Sequence, residues 1–165
     1  MLPWVIDHSL TFCRCILNVF KLGADHVKKS PNASTWELVK ALLTVYPESA
    51  TKASHLGLLP LHYVVLLTDE VYHMLMDMYP AGAAAADHEL NLPLHYAVFC
   101  YAPLERVDGL IAAYKEGVSQ KNAAKKSPID LAFEKRKDGK GFRVLNILLD
   151  ATWENAGGSV SIPVP

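Results

Sequence analysis

His62, His95 and Asp130 each stand two residues after a proline, at Pro60, Pro93 and Pro128. Two imidazoles and a carboxylate are a common ligand set for a divalent metal ion. These three residues are 33 and 35 positions apart, so the elements that carry them decide whether they can act together. On successive packed helices the axes lie about 8–10 Å apart, whereas ligands at about 2.0–2.2 Å from one zinc must come within about 4 Å of each other. Equivalent residues of neighbouring helices are therefore badly placed to share an ion. Hydrogen bonding to the backbone of the adjoining hairpin is the expected role of His62 and His95, with Asp130 substituting in the third copy.

The other candidates for chemistry are weaker. His8, His26, His55, His73 and His88 are scattered, with no His-x-x-x-His pair among them. Cys13-x-Cys15 lacks a second pair at zinc spacing, and on a helix its two side chains point about 200° apart. Neither a glycine-rich phosphate loop nor a nucleophile elbow is present. Lys28-Lys29-Ser30-Pro31 and Lys125-Lys126-Ser127-Pro128 are basic runs before Ser-Pro, readable as phosphorylation sites, anionic-partner contacts or solvated loops. Ser127 is the poorer phosphorylation candidate, because it is placed to cap a helix. No cofactor, bound metal or enzymatic activity is expected. The alternative is a metal-dependent or Cys/His-dependent enzyme, for which stoichiometric zinc in the purified protein would decide.

Length and composition fit one globular domain. The chain has 165 residues, 51% hydrophobic and 20% charged, enough for a core without disulfides. Sixteen basic against seventeen acidic residues leave a net charge of −1, so no global basic field recruits nucleic acid or anionic lipid. Three cysteines suit a reducing compartment, and a cytoplasmic or nuclear location is expected despite the glycosylation-like Asn32-Ala33-Ser34. Asp7, His8, Arg14 and Lys21 interrupt the apolar N-terminal stretch, which argues against a signal peptide or membrane span. A monomer with no membrane or nucleic-acid partner follows as the expectation.

Internal repetition organises the rest. Leu59-Pro60-Leu61-His62-Tyr63 recurs as Leu92-Pro93-Leu94-His95-Tyr96, 33 residues on, and Ser127-Pro128-Ile129-Asp130 follows after another 35. Tyr46, Tyr79 and Tyr114 keep step, each 14 residues before the next of these prolines. The two extra residues of the later interval fall between Pro93 and Tyr114, near Tyr101-Ala102-Pro103, and insertions in repeat arrays fall in loops. Each unit thus holds two helices separated near that point. Pro60, Pro93 and Pro128 can open the first helix, where a missing N–H does no harm. The runs Leu61 to Leu67, Leu94 to Cys100 and Ile129 to Phe133 are apolar all round and belong to an inner layer. The second helices are amphipathic, with Trp36, Leu38, Val39, Leu42 and Leu43 in one and Val71, Leu75, Met76 and Met78 in another. Thr68 and the Ala33-Ser34-Thr35 stretch supply capping oxygens before them. Tyr46-Pro47 and Tyr79-Pro80 end them.

A 33-residue period with Pro-Leu-His opening the first of two helices resembles the ankyrin repeat, over roughly residues 35 to 152. The resemblance implies an all-α, ankyrin-type α-solenoid of about 3.5–4 helix-pair repeats with short hairpin-like loops. It also implies a protein–protein interaction module that binds through its concave face and hairpin tips, either alone or as the repeat segment of a larger signalling chain. Carried over by position, the contact residues are His55, Leu56 and Leu58, then His88, Glu89 and Asn91, then Ala123, Ala124 and Lys126 in the hairpins. On the short-helix ends they are Leu66 and Leu67, Phe99 and Cys100, and Glu134 and Lys135. Leu56, Leu58, Leu66, Leu67 and Phe99 would form an apolar partner groove if exposed. The alternative is that the N-terminal helix or irregular hairpins cover them. The sequence departs from the family at Leu59 and Leu92, where a hydroxyl is usual, and at Leu90 and Lys125, where the tip glycine kept at Gly57 is missing. These two replacements open the way to irregular hairpins.

The ends complete the organisation. Residues 1–34 form a divergent N-terminal helix, Asp7 to Phe20, and a loop. The repeat domain spans 35–153, and its last helix is expected over Arg143 to Trp153 after a charged loop, Glu134 to Gly141. Residues 154–165 read as a disordered tail.

Overall fold

The computed structural model describes residues 33–135 and 139–155. The described residues are all-α. They form α1 (Ala33–Val45), α2 (Asp69–Met78), α3 (Pro93–Phe99), α4 (Leu104–Ala113), α5 (Pro128–Glu134) and α6 (Gly139–Asn155). Four 3-10 turns accompany them, η1 (Pro47–Thr51), η2 (Pro60–Tyr63), η3 (Pro80–Ala84) and η4 (Lys115–Ser119). The helix expected at Asp7 to Phe20, the Cys13-x-Cys15 pair and the tail beyond Asn155 lie outside the described residues.

Four amphipathic helices each place one leucine wholly inside: Leu43, Leu75, Leu110 and Leu148. Burying such a side chain contributes about 1.5–3 kcal/mol. The stripe in α1 is Trp36, Val39 and Leu43, and Leu38, one residue off it and so about 100° round the helix, faces solvent. In α2 the core takes Val71, Tyr72 and Leu75, while Met78 is left partly outside. Thr68 caps α2, its hydroxyl accepting from the Val71 N–H at 3.4 Å. Ser34 and Thr35, expected before a helix, stand within α1.

Three of these helices, α1, α2 and α4, stop at tyrosines. Tyr46, Tyr79 and Tyr114 still donate to carbonyls four residues back, but their ψ angles of 71°, 69° and 85° leave the helical region. Pro47 and Pro80 impose that on the residue before them. Each tyrosine carbonyl then receives an N–H from Ser49, Gly82 or Gly117, starting a 3-10 turn. The glycines are needed for space, since a Cβ at Gly82 or Gly117 would lie 2.9 Å from the ring of Tyr79 or Tyr114.

The first short element corrects the sequence reading: Pro60 opens a single 3-10 turn rather than a helix through Leu67. A helix there would pair the Val64 carbonyl with an N–H further along the chain, but that carbonyl accepts from the Arg106 guanidinium instead. At the equivalent position the Ala97 carbonyl accepts from the Ala102 N–H at 2.8 Å, and α3 runs on to Phe99. Tyr101, in the insertion, takes a left-handed φ of 59°. At the other end α6 begins at Gly139, earlier than the expected Arg143. Its Gly141 sits so close to the Lys135 carbonyl that a Cβ would be 2.2 Å away.

The elements pack in chain order. η2 and α5 both lie against α3, while α6 lies against α5 and α4. One cluster of buried side chains, from Trp36 to Ala151, runs through all of them.

Candidate functional site

The residues that could do chemistry are built into three hairpins of one design. Ser54, Asp87 and Asn122 each donate their N–H to a carbonyl four residues on, at Leu58, Asn91 and Lys126, over 2.9–3.0 Å. Their side chains close the same turns. The Ser54 hydroxyl accepts from the Leu56 and Leu58 N–H groups, Asp87 Oδ1 from those of Glu89 and Asn91, and Asn122 Oδ1 from that of Lys126. Asp87 is buried. Burial alone would raise its pKa, but bonds from Tyr96, Asn91 and the Glu89 N–H hold the carboxyl below its ordinary range. Neighbouring hairpins are fastened sideways. The His88 N–H donates to the Leu56 carbonyl at 3.0 Å, and the Ala123 N–H to the Glu89 carbonyl at 2.8 Å. Asn122 Nδ2 adds a bond to Asn91 Oδ1 at 2.8 Å.

His62 and His95 join each unit to the next. His62 Nδ1 accepts from the Leu59 N–H at 3.0 Å, and its Nε2 lies 3.2 Å from the Asn91 carbonyl. His95 Nδ1 accepts from the Leu92 N–H at 3.1 Å, and its Nε2 lies 3.1 Å from the Lys126 carbonyl. An accepting Nδ1 carries no proton, so the proton is on Nε2 and the ring is neutral. Burial pushes both imidazoles below their ordinary pKa. Both nitrogens of each ring are thus committed to backbone. This arrangement explains the leucines at 59 and 92. The N–H that a capping hydroxyl would serve, that of His62 or His95, donates instead to the Leu59 or Leu92 carbonyl at 3.0 or 2.9 Å, so a hydroxyl is dispensable. Where the hydroxyl survives, Ser127 and Asp130 form a complete capping box, with Ser127 Oγ accepting from the Asp130 N–H at 3.2 Å and Asp130 Oδ2 from the Ser127 N–H at 2.9 Å. Among the described residues no group of three or more His, Cys, Asp or Glu side chains is placed to hold a metal ion.

The tips lie in the left-handed region whether or not they are glycine: φ is 79° at Gly57, 59° at Leu90 and 60° at Lys125. The hairpins are therefore alike, not irregular. A left-handed residue with a side chain costs about 1–2 kcal/mol, partly offset by glycine's greater chain entropy. Leu90→Gly and Lys125→Gly are each expected to stabilise the fold by about 0.5–1 kcal/mol, read as a higher urea midpoint at unchanged slope. At Gly57 the reverse holds, because a Cβ would meet the His88 ring at 2.7 Å.

Around this frame the expected contact residues divide. His55, Leu56, His88, Glu89, Ala123 and Ala124 are exposed in the hairpins, and Leu66, Phe99, Cys100 and Glu134 on the ends of the short elements. Leu58, Asn91, Lys126 and Lys135 are half-buried. Asn91 is largely occupied in holding the hairpins together, and Lys126 pairs with Glu134 at 2.7 Å. Lys135 sets its ammonium over the Phe99 and Tyr101 rings, 4.3 and 4.4 Å from their centres. Leu67 corrects the expectation. It is 4% exposed and belongs to the core, because the chain bends after η2 and turns this side chain inward. Leu56, Leu66, Leu90 and Phe99 remain 51%, 48%, 54% and 56% exposed.

Two features escaped the sequence reading. The hairpin openers Ser54, Asp87 and Asn122 are spaced by the same 33 and 35 residues as the prolines, a signal that their differing identities conceal. Arg106 left none. This guanidinium, 7% exposed, donates to the Val64 carbonyl and to Asp69 Oδ1, and lies over the Tyr72 ring. The Tyr72 hydroxyl donates to the Arg106 carbonyl at 3.1 Å, and burial pushes that phenol up to about 12.

Among the described residues no helix is long and apolar enough to cross a membrane. No family model matches the chain, and no curated protein or solved structure matches it.

Proposed function

We propose that the chain is an ankyrin-type α-solenoid that binds another protein through its hairpin tips and the exposed ends of its short elements, without catalysis of its own. The observation that carries this reading is the outward setting of large apolar side chains at matching places. Leu66 and Phe99 are 33 residues apart and both about half exposed, and Leu56 and Leu90 stand out from neighbouring hairpins. Contiguous exposed apolar surface marks interaction sites, and these four side chains are the ones that would supply it. Leu90 supports it further, since a side chain is retained at a left-handed tip where glycine would relieve strain. The laterally bonded hairpins supply a stiff frame, so little order has to be gained on binding.

The test is a double variant, Leu66→Asp with Phe99→Asp. Both side chains stand largely in solvent, so the helical circular dichroism should be unchanged while proteins retained by the immobilised chain are lost. An unchanged set of retained proteins would refute this surface.

A further inference from the structure

We propose that the cavity between the Tyr101–Leu104 bend and α6 is a second binding site, for a compact apolar group that carries a carboxylate. The cavity measures about 310 Å³ and is lined by Tyr101, Ala102, Pro103, Leu104, Arg143 and Val144. The chain reaches it just past Phe99, at the end of α3 remote from the hairpins, so the site adjoins one edge of the protein-binding surface proposed above and lies apart from its hairpin tips.

Three observations carry it. The first is that the bend is built rather than loose. The inserted segment is held by the bond from the Ala102 N–H to the Ala97 carbonyl at 2.8 Å, Ala102 is 4% exposed, and Tyr101 is fixed in a left-handed conformation. The two extra residues of this unit fall in or beside this wall. The second is the mixture of walls. Ala102, Pro103, Leu104 and Val144 are apolar, and Tyr101 adds an aromatic ring. The third is charge. The Arg143 side chain has no hydrogen-bond or ion-pair partner among the described residues, whereas the cation at the Tyr101 ring, Lys135, is already engaged with the Phe99 carbonyl and two rings.

A planar guanidinium at the edge of an apolar hollow matches a carboxylate, which it can hold by two parallel bonds. The volume lies at the low end of the range of about 300–1,000 Å³ for ligand sites. It suits one branched or ring-sized group rather than a nucleotide or a large cofactor. That chemistry is shared by a free monocarboxylic acid and by the C-terminal residue of a polypeptide.

Titration of the whole chain, followed by backbone amide resonances, tests this with four probes: 4-methylvaleric acid, its amide, N-acetyl-Gly-Gly-Leu, and that peptide as its amide. Saturable shifts are expected at Tyr101, Ala102, Leu104 and Val144, with each acid binding at least about tenfold tighter than its amide, as a charge-assisted bidentate pair implies. Tighter binding of the peptide acid than of the free acid assigns the site to a chain terminus, and equal binding assigns it to small acids. Arg143→Gln, a change at an exposed position, should erase the preference for acid over amide, while Lys121→Gln should leave it intact. Equal affinity for acid and amide, shifts that do not saturate, or a preference that survives in Arg143→Gln would overturn the proposal.

Discussion

A His95→Ala chain is expected to unfold with a free energy lower by about 2–4 kcal/mol, since it leaves the Leu92 N–H and the Lys126 carbonyl without their partner and opens a void among buried side chains. His62→Ala should behave alike through Leu59 and Asn91. The same bonds predict a pH dependence. Both imidazoles have folded pKa values below their ordinary one, which is about 6.5 in the unfolded chain. Below about pH 6.5 the unfolded chain therefore binds more protons than the folded one, and stability falls with pH until the folded values are passed. Above that pH this contribution is fully present. Asp69, Asp87 and Asp130 are also held low, but their contributions fade only below about pH 4, so the windows separate. Denaturant titrations between pH 7 and 5 should show the slope in the native chain and its loss in His62→Gln with His95→Gln, where neutral amides stand in for neutral rings. A slope retained in that double variant would place the acid sensitivity elsewhere.

Arg106→Ala is expected to cost about 3 kcal/mol. It strands the buried Val64 carbonyl, worth about 1–3 kcal/mol, and removes the stem and guanidinium packed on Tyr72. Asp69, which is largely in water, should add little of its own. Arg106→Lys should recover only part of the loss, because one ammonium cannot reach carbonyl, carboxylate and ring together. Urea unfolding of the three chains gives the ranking native, Lys, Ala. If Ala and Lys are equally impaired, the side chain acts through its planar geometry alone. If neither is impaired, the buried bond to Val64 contributes nothing to stability.

The all-helical class and the period of the hairpins were legible because they rest on local rules. Proline opens an element, Tyr-Pro closes one, and apolar residues at three- and four-residue steps mark a buried stripe. The role of His62 and His95 was legible for the same reason, since the competing metal reading fails on spacing. What could not be read depends on contacts between distant residues. η2 stays a single turn because a guanidinium 42 positions away takes the Val64 carbonyl, and Leu67 is buried by the bend that results. The tips were misread in the other direction. Leu90 and Lys125 lack glycine's freedom, yet Asp87 and Asn122 hold their turns closed strongly enough to keep the glycine conformation. At the candidate surface, the types of Leu56, Leu66 and Phe99 could be read, but their exposure could not, because it depends on which neighbours reach them.

The histidine bridges also fix the smallest piece of this chain that can be cut out with its bonds complete. His62 finishes its hydrogen bonding at Asn91 and His95 at Lys126, so a 33-residue fragment that opens with its own hairpin, Ser54 to Ala86, would carry an imidazole with nothing to donate to. The separable part is a period together with the hairpin that follows it. Adjacent parts so defined overlap, and any hairpin removed is taken from two of them at once.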